Sequence, residues 1–162
     1  MNKRAALLTL ALAQSASAFA AGDPVEMAHQ AGFTSCDTAI ETTFERFMKA
    51  ASRRVEIKFD ENELLNHAVA FTASYGNKGD SVIQHITVIN TGETCFTSSA
   101  AQVTDTESCD SYQRKFPEMR DVATQADLEW VDTEDGVTGV LKDLPEGGCA
   151  ITIAYMGRYD VE

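Results

Sequence analysis

The chain has 162 residues, 25 acidic against 13 basic side chains, and a formal net charge of −12. That length suits one domain able to bury a core without metals. The charge speaks against nucleic acid and anionic membrane surfaces as partners and would steer a cationic partner inward.

The first twenty residues have the form of a secretory leader. Lys3 and Arg4 provide the positive start, Ala5 to Leu12 the apolar stretch, and Ala18-Phe19-Ala20 the small-residue cleavage site. The expectation is a cleaved signal peptide over 1–20, one globular α+β domain over 21–162, and a periplasmic or extracellular location. The mature chain would then hold 11 basic and 25 acidic residues, a net charge of −14. The apolar run is too short to cross a bilayer, which needs about 20 residues, and no later stretch qualifies.

Residues Ala21 to Ser35 read as an irregular lead-in punctuated by Gly22, Pro24 and Gly32. A helix is predicted from about Thr38 to Ala51. Thr38 to Glu41 has the S/T-x-x-E form of a capping box, and Ile40, Phe44, Phe47, Met48 and Ala51 recur at helical spacing. Arg54 to Phe59 alternates as a half-buried strand. His67 to Ala101 predicts a three-stranded meander, with turns at Gly76 to Asp80 and Asn90 to Glu93. In its first strand the small face of Ala68, Ala70, Thr72 and Ser74 is expected under the helix. Its second strand is apolar on both sides and should be central.

Thr104 to Ser111 reads as an acidic loop. Phe116, Met119 and Val122 would face inward on a short helix after Pro117. Leu128 to Val131 and Val137 to Leu141 form a hairpin, Cys149 to Met156 is a strong late strand, and Gly157 to Glu162 frays. No repeat is visible along the sequence. Together these elements predict an α+β fold: one N-terminal helix packed on a mainly antiparallel sheet of six to seven strands, with two disulfides.

Four cysteines in an exported chain argue for two disulfides. The expected pairs are Cys95–Cys109 around the acidic loop and Cys36–Cys149 from helix to sheet. There is no C-x-x-C and no Cys–His ligand spacing, so no redox or metal centre is expected. His67 and His85 fall on strands that would be neighbours, where a pair of imidazoles would serve acid–base or metal chemistry. The acids around Asp132, Glu134 and Asp135 lack the spacing of a calcium loop. No G-x-S-x-G elbow and no phosphate-binding glycine loop occurs. No cofactor is expected.

The residues therefore point to an acidic exported binding protein with a basic protein as partner. An inhibitor or immunity protein covering a cationic enzyme such as a cell-wall hydrolase is the most concrete form. Its partner-facing acids would be Asp60, Glu61, Asp132, Glu134 and Asp135, on loop tips whose charge speeds docking. The alternatives are a small-molecule carrier with a pocket between helix and sheet lined by Phe44, Phe47, Phe71 and Tyr75, or a subunit of a surface assembly.

Overall fold

A computed structural model describes residues 22–59 and 67–161. Eight antiparallel strands form one sheet in the order β1-β2-β3-β4-β8-β7-β6-β5. In chain order the elements are α1 (Pro24–Gln30), α2 (Asp37–Lys49), β1 (Arg53–Lys58), β2 (Ala68–Asn77), β3 (Asp80–Asn90), β4 (Thr94–Asp105), α3 (Cys109–Lys115), β5 (Arg120–Gln125), β6 (Leu128–Asp132), β7 (Thr138–Asp143) and β8 (Cys149–Asp160). The α+β class is as expected, but among the described residues there are three helices instead of one and eight strands instead of six or seven.

The order of these elements repeats. A helix and a four-strand meander (α2, β1–β4) are followed by a second helix and a second meander (α3, β5–β8). The two join where β4 pairs with β8. Cys95 lies opposite Tyr159 and Cys149 opposite Asp105. A half-turn about the Ala100–Ala154 pair therefore exchanges the two cysteines. Each half has its own crosslink from the start of its helix to the start of its last strand, Cys36–Cys95 and Cys109–Cys149. The expected pairs, Cys95–Cys109 and Cys36–Cys149, are both wrong. Each would have linked one half to the other, whereas strand order brings the partners together within halves, with Cα atoms 5.6 and 4.8 Å apart.

The larger core lies under α2. Phe44 and Phe47 are fully buried and meet Phe71 and Tyr75 in edge-to-face contacts with ring centroids 5.1 to 6.0 Å apart. This reverses the expected faces of β2. Val69, Phe71 and Ala73 point at the helices and are buried, while Ala68, Thr72 and Ser74 face solvent. Burial of large apolar area outweighs close approach of small residues. The expectation that β3 is central holds, since it lies between β2 and β4. The smaller core, under α3, gathers Tyr112, Val131, Leu141 and Ile151 around Cys109–Cys149.

Local chemistry explains the remaining departures. The lead-in is helical because Asp23 Oδ1 accepts from the backbone N–H of Val25 and Glu26, with Pro24 in the first turn. Helix α2 starts at Asp37, so Thr38 is inside it rather than at the cap. Cys36 takes the cap position at φ 72° with no side-chain cap bond, its sulfur being committed to Cys95. At the other end Arg53 donates to the carbonyls of Met48 and Ala50. Ser108 caps α3 inside the supposed loop, and Asp143 Oδ1 accepts from Cys109 N–H. Pro117 follows that helix instead of opening one. The chain beyond it forms β5, where Val122 is 59% exposed. Residues 157–160 do not fray but pair with β4, and Val161 N–H donates to Glu93.

Candidate functional site

Helix α2 has 13 residues and α3 only 7. The shorter helix leaves part of the inward sheet face uncovered. A cleft of about 660 Å³ opens there, across the junction of the two halves. Its floor is Gln84, Ala101, Ile153 and Tyr155, from β3, β4 and β8. One wall is the Glu45–Arg46 turn of α2, and the other is Tyr112, Phe116 and Met119 from α3 and the segment after it. A volume of this size lies within the range typical of ligand sites.

Four carboxylates stand around the cleft without a cation in ion-pair range among the described residues: Asp80, Asp105, Glu118 and Asp135. Two of them stand at one ladder end. The β3–β4 ladder ends at the Ser81–Thr104 pair, and Asp80 and Asp105 are the next residue on each strand. Like charges in that relation repel. Lys115, whose Nζ is 2.9 Å from Glu107, has its pKa raised, first by that hydrogen bond and then by the charges of Glu107, Asp105 and Asp80. A fifth carboxylate, Glu45, is already held by Lys49 at 2.5 Å, which lowers its pKa. Among the described residues Arg46 is the one basic side chain lining the cleft.

Gln84 is 4% exposed and its amide nitrogen lies 2.7 Å from the Tyr155 hydroxyl. The other end of the amide has no hydrogen-bond partner among the described residues. Whichever way the amide is turned, it has one group to offer the cleft. Further along β4 the buried hydroxyls of Thr97 and Ser99 also have no partner among the described residues. Most buried polar side chains are paired, so these two are exceptions, although neither lines the cleft. Burial raises the pKa of both Tyr75 and Tyr112, keeping the two phenols protonated beside the Arg46 charge that opposes the shift.

The expected pocket and this cleft coincide at one residue. Tyr75 borders the cleft; Phe47 and Phe71 are packed core; Phe44 underlies a separate hollow of about 340 Å³ between α1 and α2. The expected acidic tips also separate. Asp135 reaches the cleft, Glu134 is ion-paired with Arg120, and Asp132 ends β6 opposite Arg120 and Thr138. Asp60 and Glu61 lie outside the described residues. The histidines do not meet: His85 sits opposite Thr72 with Nδ1 3.2 Å from its hydroxyl, while the His67 carbonyl accepts from Asn90 N–H. His29 instead contacts Asp37 at 2.9 Å. Among the described residues no group of three or more His, Cys, Asp or Glu is placed to hold a metal ion, and no helix is long and apolar enough to cross a membrane.

The cleft residues missed by sequence reading are Gln84, Asp80, Asp105, Glu118 and Tyr155. Their one local signal is Gln84, an uncharged amide in the apolar face of a central strand. Comparison with protein-family models, curated proteins and solved structures finds no match for this chain.

Proposed function

We propose that this chain is an acidic binding protein of an oxidising, extracytoplasmic compartment, and that the cleft between α2 and α3 receives a basic segment of a protein partner. The observation that carries this reading is that Asp80 and Asp105, the residues just past the Ser81–Thr104 pair, both line the cleft without an ion-pair partner among the described residues. An incoming lysine or arginine relieves their repulsion. Glu118 and Asp135 extend the negative rim, and the aromatic side chains of Tyr112, Phe116 and Tyr155 suit a cation that sheds water. The free end of the Gln84 amide supplies a fixed hydrogen bond. An inhibitor or immunity protein covering a cationic enzyme, such as a cell-wall hydrolase, is the form of partner that this chemistry suits. Two disulfides fit a compartment that sustains them.

The test is affinity capture from an envelope or secreted fraction at low salt, followed by elution in high salt. A basic protein should be retained, released by salt, and lost with the combined Asp80→Asn, Asp105→Asn, Glu118→Gln and Asp135→Asn variant. Arg46→Ala should strengthen capture, because it removes the cleft's own positive charge. Weaker capture by Arg46→Ala would instead make Arg46 the anchor for an anionic group and overturn the cationic assignment. The carrier reading is favoured by one observation, the apolar portion of the cleft wall at Phe116, Met119 and Ile153. Native mass spectrometry of the freshly isolated protein decides it: a bound small molecule, with no protein captured, replaces the first reading.

A further inference from the structure

We propose that the face of the sheet opposite the helices is the interface of a homodimer. Both helical elements that pack on the sheet, α2 and α3, occupy one side of it, since the buried residues of β2, β3, β4 and β8, apart from Thr94 at the start of β4, alternate towards that side. The other side is uncovered among the described residues. Its outward positions over Ala68–Ser74, Ser81–Ile89, Phe96–Thr104 and Ala150–Met156 include no Asp, Glu, Lys or Arg. One row crosses six strands as Ser74, Ile83, Gln102, Thr152, Val140 and Trp130, again without a charge. Charges return at the margins, with Arg54, Glu56 and Lys58 on β1, Lys142 on β7 and Arg158 near the end of β8.

Several apolar side chains stand out from this face. Met156 is 78% exposed, Ile83 45%, Ile89 40% and Trp130 37%. They surround the Ala100–Ala154 pair, so the middle of the face is low and flat. The six strands contribute segments of five to nine residues, which together cover about 680 Å², somewhat under the roughly 800 Å² a side of a standard interface. Antiparallel sheets commonly keep one face wet, but that face then carries polar and charged groups. Here a chain of net charge −12 keeps charge off the middle of its broadest face.

The occupant follows from charge. Two copies approaching through most other surfaces bring carboxylates together, whereas this face meets its own image without desolvating any. A cationic partner is drawn to the helix side, where the unpaired acids stand, and finds nothing here to steer it. Two such sheets stacking about 10 Å apart form a sandwich with an isologous, two-fold interface.

Sedimentation of the purified, disulfide-intact protein over a concentration series into the hundreds of micromolar tests this, at low and high salt. A monomer–dimer equilibrium is expected, strengthened by salt because screening reduces repulsion between like-charged copies while apolar contact persists. Ala100→Glu should weaken the dimer by about tenfold or more, since it sets a carboxylate on the face's centre. Met156→Glu, at the most exposed position, should weaken it in the same direction with an unchanged melting temperature for the monomer. Glu118→Gln, on the helix side, should leave it unchanged. A wild-type monomer throughout, or a dimer indifferent to both Ala100→Glu and Met156→Glu, overturns the proposal. So does capture of a different protein whose binding those two variants abolish while the purified chain stays monomeric.

Discussion

The N-terminal half covers its part of the sheet with a 13-residue helix that buries Ala39, Ile40, Phe44 and Phe47. The C-terminal half repeats the same order of elements with a 7-residue helix that buries Cys109 and Tyr112. Both halves anchor the helix by a disulfide at its start, but one supports a large aromatic core and the other a small one around the crosslink itself. The difference teaches where the cleft comes from. Where the second helix stops short, sheet that would otherwise be core becomes the floor of a site. The larger buried core lies in the first half, and the cleft opens where that half meets the second.

The largest expected effect falls in the first half. Phe44→Ala should cost about 3–5 kcal/mol in a urea melt, because the ring is fully buried against Phe47 and Phe71. A cost below 1 kcal/mol would mean that the aromatic core does not carry the fold. Next comes the crosslink of the second half. Replacing Cys109 and Cys149 together with Ser should cost about 2–4 kcal/mol. Hydrogen exchange should then show β5–β7 losing protection while β1–β3 retain theirs. A uniform loss would merge the halves into one cooperative unit and break the comparison.

A smaller effect should appear in alkali. Burial, above all, raises the folded-state pKa values of Tyr75 and Tyr112 above that of an ordinary phenol. The folded protein then keeps protons that the unfolded chain releases. Stability should be level below pH 10 and fall as pH rises through the folded values. Tyr75→Phe and Tyr112→Phe should flatten that fall in melts on either side of pH 10, and an unaltered slope would remove these phenols as its cause. The smallest effect belongs to the outer edge of the second half. Val122→Thr on β5 should change stability by within about 0.5 kcal/mol, since that strand is exposed throughout. A larger loss, measured in the same melts, would show β5 to be covered in solution.

Legibility in the sequence followed the range of each interaction. Helix α2 was readable from the spacing of Ile40, Phe44 and Phe47, and the β6–β7 hairpin from its turn around Gly136. Helices α1 and α3 span two turns each, too few for a period to register, and their start signals, Asp23 and Ser108, sit in stretches that otherwise read as loop. The charge-free outer face left a trace in plain sight: the stretches 68–77, 81–92 and 94–104 contain no Asp, Glu, Lys or Arg. Half-buried strands ordinarily place such residues outside. Of the expected site, Tyr75 and Asp135 reach the cleft; the other residues share short local runs, whereas the cleft joins positions from Thr42 to Tyr159.

By itself the sequence determined the main strand positions, the central place of β3, the main helix and the presence of two crosslinks' worth of cysteines. Turn chemistry, hydrophobic period and residue counts are local properties, complete within a few residues. The tertiary structure decided the cysteine pairing, the side of the sheet that the helices cover, the cleft, and the placing of Asp80 and Asp105 along it. Most of these depend on β4 and β8 meeting across the middle of the sheet, a pairing of strands some fifty residues apart. No local pattern encodes it; it forms because each half must bury one face and the two meanders bury more by sharing an edge than by exposing two.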